Sequence, residues 1–297
     1  MAVNLLDPDA VSRGESLGLL ARRIVEGYRV GEHRSPFHGF AIEFAQHREY
    51  SAGDDIRHLD WKVLGRSDRY YIKQYEQDTN YVAHLVVDGS ASMNYGSEGV
   101  TKLQFSKALA ACLAYIILLQ RDAVAVAMFD TNLVEYLPRT DSLAKIQHIM
   151  DRLAAFEATR QTGLGASLEE VARKAKRRGI VILISDFFDD EEGFLNGLRL
   201  LSFSGNEVIV FHVLDHAEIT FPFTGTCKFH DLEGTAELQT SPADIRKGYL
   251  KSFEEYRQRI RRACEKFNAH YVLADTQKTL AEVLSGYLAF RRGVGKK

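Results

Sequence analysis

From about residue 80 the chain alternates short runs that are apolar on both faces with longer stretches of helical spacing. No other feature limits the possible folds as tightly. Tyr81–Val87, Ala123–Phe129, Ile180–Ile184 and Val208–Leu214 read as strands, and His270–Ala274 as a last one. Lys102–Gln120, Ser142–Phe156, Ala166–Arg178 and about Pro242 to Phe267 read as helices, with a further helix through Tyr287. A strand with one face in water alternates apolar and polar residues, and these do not. They require cover on both sides, which helices between the strands supply. The expected fold is therefore α/β, a doubly wound, mostly parallel sheet.

Two stretches depart from that rhythm. Before residue 80 comes an expected helix over about Asp9 to Val30, then a segment rich in aromatic residues, glycine and charge from Ser35 to Gln77. Short strands are expected there at Phe40–Phe44 and Tyr70–Tyr75. Residues 1–79 are accordingly read as a helix and a small N-terminal β-rich module, and 80–297 as the α/β domain. Ile219–Leu238 alternates apolar residues with Thr and Gly and reads as a β-hairpin insertion.

Charge and cysteine content narrow the function classes. Thirty-eight basic against 40 acidic residues in a chain of 297 give a formal net charge of −2. A broadly basic grip on nucleic acid or anionic lipid is excluded. Three scattered cysteines make no disulfide framework and no zinc ribbon, so a reducing, cytoplasmic setting is expected. Met1–Asp7 has no basic stretch and is not read as a secretory signal. The apolar run Ala108–Leu119 is too short to span a bilayer and reads as a buried core helix.

In doubly wound sheets, ligands bind beyond the carboxyl ends of the strands. Tyr81–Val87 is followed there by Asp88-Gly89-Ser90-Ala91-Ser92, and Ile180–Ile184 by Ser185-Asp186. The helix at Ala166 is preceded by Thr159-Arg160-Gln161-Thr162-Gly163. Carboxylates and hydroxyls without His or Cys are hard oxygen donors, suited to Mg²⁺ or Mn²⁺ rather than zinc. The Asp-x-Ser-x-Ser spacing lets one turn aim residues 88, 90 and 92 at a single point. Taken alone, the same spacing also fits a helix cap, with Asp88 serving backbone amides.

Asp88, Ser90, Ser92, Thr162 and Asp186 resemble the metal-ion-dependent adhesion site (MIDAS) of von Willebrand factor type A domains. In that family the serines and the threonine contact the ion directly or through water, and the acids often act through water. Here Arg160-Gln161 stands where the family often has two glycines, which leaves Thr159 as a rival to Thr162.

The series Glu43-Phe44, Arg48-Glu49-Tyr50, Gly53-Asp54-Asp55-Ile56-Arg57, Asp60-Trp61, Arg66 and Arg69 narrows the likeness. It resembles a bacterial family of type A proteins, a "domain of unknown function" that accompanies MoxR-type AAA+ ATPases. The resemblance implies a metal-dependent adaptor that helps such an ATPase act on client proteins. It implies a cytoplasmic or membrane-associated bacterial protein; the membrane segments of some relatives are not seen in this sequence, which favours the soluble type without membrane insertion, and the charge balance leads to no expected nucleic acid partner. The N-terminal charged residues are read as a network within the module, with a docking surface for the ATPase as the alternative.

Three function classes are weighed. In a binding module, neutral ligands Ser90, Ser92 and Thr162 leave the ion free to take a partner's Asp or Glu. A Mg²⁺-dependent hydrolase or phosphotransferase would need a partnered general base, and an Asp-x-Asp nucleophile loop would need an acid at Ser90. A scaffold with a vestigial site is the third. The chain holds no P-loop, H-E-x-x-H or G-x-S-x-G. The expectation is a protein-interaction module and not an enzyme. The acid run Asp189–Glu192 reads as the start of a helix, and the basic residues of the 242–267 helix as a solvated face.

Overall fold

The computed structural model describes residues 42–50, 63, 65, 70–77, 82–158, 163–175, 179–188, 191–230, 232 and 237–284. The expected helix over 9–30 and the charged residues at 53–62, 66 and 69 lie outside them. The chain divides into two compact units, of which the smaller is Phe37–Asn80. Within it, β1 (Ile42–Glu49) and β2 (Tyr71–Gln77) pair antiparallel, with the register shifting between Phe44 and Gln46. The two strands expected there exist; β1 begins two residues and ends five residues later than expected, and β2 begins one and ends two residues later.

The larger unit is built on a six-stranded sheet. Its strands are β3 (Val82–Asp88), β4 (Ala123–Phe129), β5 (Leu133–Thr140), β6 (Ile180–Ser185), β7 (Glu207–Leu214) and β10 (His270–Asp275), in the order β10-β7-β6-β3-β4-β5. All neighbours run parallel except β4 and β5. The doubly wound, mostly parallel sheet is thus present. The antiparallel edge strand β5 was not expected. Its residues are mostly half-exposed and it holds Pro138, a residue tolerated on an edge because its missing N–H costs no ladder bond there.

Helices cover both faces. The helix α1 (Lys102–Leu119) lies across β3 and β4 on one side, with α2 (Ile146–Ala155) beside it. It starts on a capping box, in which Thr101 Oγ1 accepts from Gln104 N and Gln104 Oε1 accepts from Thr101 N. Fifteen of its eighteen residues are buried, so its apolar length serves the core. On the other side, α3 (Leu164–Lys174), α4 (Glu191–Phe203) and α6 (Pro242–Lys266) enclose a second apolar layer. Leu168, Phe194, Leu198 and Ile260 meet Val86, Leu183 and Val210 of the sheet there. Burying each such side chain contributes roughly 1.5–3 kcal/mol.

The insertion departs from expectation at its start. The chain first makes a short helix, α5 (His216–Thr220), and only then the hairpin β8 (Cys227–His230) and β9 (Glu237–Thr240). Asp215 and Glu218 form a capping box that a reading of Ile219 as strand overlooks. After β10 a helix opens at 280–284.

Candidate functional site

The sheet reverses its winding between β3 and β6. From β3 the chain moves to β4 on one side, and from β6 to β7 on the other. This is the switch point of the fold, where the loops beyond adjacent parallel strands part and leave a crevice. Val87 pairs with Ile184, so Asp88 and Ser185 stand side by side at its floor.

The geometry follows from that register. Ser185 Oγ donates to Asp88 Oδ2 at 2.5 Å, and Ser90 N donates to Asp88 Oδ1 at 2.8 Å. Ser90 and Ser92 place their hydroxyl oxygens 3.0 Å apart. A single 3₁₀ turn, Ala91–Asn94, brings them together, with Met93 N bonded to Ser90 O and Met93 wholly buried. Gly89 permits the turn to lie against the protein, because a Cβ there would sit 2.2 Å from Cζ of Phe156.

Asp186 follows β6 directly and is 1% exposed. Its Oδ1 accepts from Phe188 N at 3.2 Å, and its main-chain oxygen accepts from the Tyr256 hydroxyl at 2.8 Å. Phe187 between them takes a left-handed backbone (φ 57°), an uncommon conformation for a bulky residue. Its ring is held 4.7 Å from Phe194. Strain of this kind persists where packing over-determines it, and it is found at functional sites.

One residue at this centre had no part in the sequence reading. Lys102, the first residue of α1, is fully buried, and its ammonium lies 2.7 Å from Asp186 Oδ2 and 2.7 Å from Glu218 Oε1. The Phe188 ring is 4.9 Å from the same nitrogen. Glu218 turns its other oxygen to Asp215 N at 2.8 Å, closing the α5 cap. Asp215 in turn accepts from Ser97, Ala217 and Thr276. Neither Lys102 nor Glu218 shows in sequence spacing, since the lysine's partners lie 84 and 116 residues away. The one usable signal was local: a Thr101-x-x-Gln104 capping box puts Lys102 at the head of an otherwise apolar helix.

Burial dominates the electrostatics. Asp88 is raised to about 7, first by loss of solvent, then by the Asp186 charge, against the bonds from Ser185 and Ser90. Lys102 is raised despite its burial, because the Asp186 and Glu218 carboxylates favour its charged form. His212, packed behind the site, is pushed down to about 3 by burial and stays neutral.

Four of the five expected ligands, Asp88, Ser90, Ser92 and Asp186, therefore converge on one crevice. Thr162, Thr159 and the acids at 189 and 190 lie outside the described residues. Gly163, next to Thr162, is bonded through its N–H to Asp130 O at 2.8 Å, at the carboxyl end of β4. Among the described residues, no group of three or more His, Cys, Asp or Glu side chains is arranged to hold a metal. The donors at the crevice are instead hydroxyls beside two acids, a set that fits a small hard cation and not a soft one.

The family model for "Protein of unknown function DUF58" matches residues 46–259. The chain belongs to the DUF58 family. Relatives of this DUF58 chain include the uncharacterized proteins Rv1480 of Mycobacterium tuberculosis and Mb1516 of Mycobacterium bovis. Each is 25% identical over 97% of this chain and 92% of its own length. Similar solved structures include the conserved hypothetical protein BatB from Bacteroides thetaiotaomicron (20% identity, 70% of this chain and 98% of that one, TM-score 0.47). The SpRpn10 VWA domain is another (11% identity, 69% and 93%, TM-score 0.40). The doubly wound DUF58 fold itself rests on the strand order above.

Proposed function

We propose that this DUF58 chain is a metal-dependent protein–protein interaction module. Its ion is one Mg²⁺ or Mn²⁺ at the switch-point crevice, and its partner offers an acidic side chain. The observation that carries this reading is the burial of Asp88 against Asp186 below a pair of touching serine hydroxyls. Burial and the neighbouring Asp186 charge make Asp88 resist ionisation, and a divalent cation would relieve both the repulsion and the lost solvent. Ser90, Ser92 and Thr162 would hold the ion with neutral oxygens, while Asp88 and Asp186 would supply charge directly or through water. Bound in this way, the ion offers residual positive charge to a carboxylate from outside, and no bond is made or broken.

Family likeness supports a MoxR-type AAA+ ATPase as the companion, with a client protein offering the acidic residue. The reading goes with a cytoplasmic protein that neither binds nucleic acid nor inserts into a membrane. Among the described residues, nothing at the crevice favours the hydrolase alternative over it.

Titration calorimetry with Mg²⁺ and Mn²⁺ tests the metal, and Ser90→Ala/Ser92→Ala should bind at least about tenfold more weakly with unchanged circular dichroism. Capture from native lysate tests the partner, with an AAA+ ATPase expected in Mg²⁺ and absent in chelator. If neither ion binds the native protein at millimolar concentration, the module reading is wrong. If the ion binds and no ATPase is ever captured, the companion is wrong.

A further inference from the structure

We infer that Lys102 is the charge-balancing residue of this site: its ammonium, held between the Asp186 and Glu218 carboxylates, offsets part of the negative charge that a divalent cation meets there. The inference rests on the metal reading above and adds a residue which that reading does not contain. Asp186 and Glu218 bring two carboxylates to within 2.7 Å of one ammonium. With the lysine present, a bound divalent ion faces less negative charge in the crevice and keeps more of its own field for an incoming carboxylate. Without it, the same ion would sit among carboxylates with one positive charge fewer, held more tightly but less attractive to an acidic partner.

The geometry shows how the lysine can do this without being a ligand. Its ammonium has three N–H donors. Two go to Asp186 and Glu218, and the ring faces of Phe188 and Tyr95, 4.9 Å and 5.8 Å away, flank the nitrogen. It is closed off from solvent, so its charge acts at low dielectric and is poorly screened by salt. Asp186 Oδ2 is taken by the ammonium, while Oδ1 is held by Phe188 N. The lysine thereby also fixes which way the Asp186 carboxylate faces.

Charge counting predicts an order of metal affinities that a merely structural role would not produce. Mn²⁺ binding is followed by electron paramagnetic resonance and calorimetry on the full chain at about pH 8. Lys102→Met should bind roughly tenfold more tightly than the native chain, and Glu218→Gln roughly tenfold more weakly. The double variant Lys102→Met/Glu218→Gln, which restores the charge, should return to within about threefold of native. If the proteins carrying Lys102→Met do not fold, Glu218→Gln decides the matter, a roughly tenfold loss of affinity supporting the charge balance and an unchanged affinity overturning it. Weakening in every variant, or equal affinity in all four proteins, would overturn the role of Lys102 and leave the metal reading standing. Absence of Mn²⁺ binding in all four would overturn both.

Discussion

Asp88 shows how a single buried acid shapes this protein. It is fully buried, its two oxygens accept one hydrogen bond each, from Ser90 N and Ser185 Oγ, and its pKa is raised to about 7. An acid raised in this way keeps its proton in the folded chain at pH values where the unfolded chain has lost it. The folded state binds more protons between about pH 4 and about pH 7, so stability falls as pH rises through that window. The stabilisation is complete below the unfolded value of 3.8 and gone above about 7. Asn at this position can still accept from Ser90 N and can donate to Ser185 Oγ, while it carries no charge. Relative to the native chain, Asp88→Asn should therefore gain on the order of 2 kcal/mol between about pH 4.5 and about pH 8 in chelator. Urea denaturation at the two pH values measures it. A difference that stays constant with pH would mean that Asp88 is not the group that titrates.

The elements divide into those that sequence pattern reveals and those that only packing reveals. Strands β3, β4, β6 and β7 were legible because burial on both faces leaves runs with almost no polar residue, and their ends fell within a residue or two of expectation. The ends are what matter, because Asp88 and Asp186 become candidates only as acids at the carboxyl ends of apolar strands. Strand β5 was hidden by its half-exposed, proline-containing edge, and α5 by its five-residue length. Much of the basic face of α6 is exposed, with Lys251 and Arg261 near acids on the same helix and Arg259 on Glu191, whereas Arg257 beside Glu254 is largely buried. Its inner face was not legible. Tyr249 and Tyr256 hydroxyls bond the main-chain oxygens of Glu218 and Asp186, the two residues whose carboxylates hold Lys102. The loop after β3 depends on α2 in a similar way, through the Phe156 ring at the end of that helix. Gly89→Ala would drive a methyl group into that ring and should cost about 1–3 kcal/mol. Phe156→Leu removes the obstructing edge, so the double variant should recover part of the loss, with a coupling above about 1 kcal/mol in a denaturation cycle. Additive losses would show that the ring does not restrain the turn.

Across the larger unit, the site spans parts of very different stability. Asp88 and Ser185 end β3 and β6, strands flanked by neighbours on both sides and sealed between two helical layers. Glu218 sits on α5, and the chain beyond it runs into β8 and β9, a two-stranded ribbon whose residues are half-exposed or exposed. A two-stranded ribbon is marginal by itself, and here its anchorage is the aromatic group of Phe221, Phe223 and Phe229 beside Tyr249. Lys102 joins the two regimes, one N–H on the rigid sheet end and one on the element that leads to the ribbon. Local opening is governed by buried apolar contact and by the exposure of backbone bonds. Amide hydrogen exchange should therefore be slowest in β3, β4, β6, β7 and α1, where it requires global unfolding. In Lys228–His230 it should be at least about a hundredfold faster, through local opening of the ribbon. Glu218 and its neighbours in α5 should fall between the two, because Lys102 and Tyr249 tie that short helix to the core. Mass spectrometry of deuterated peptides resolves all three classes. Protection of the ribbon equal to that of β6 would show that the insertion folds as one unit with the sheet, and that Glu218 is held as rigidly as Asp186.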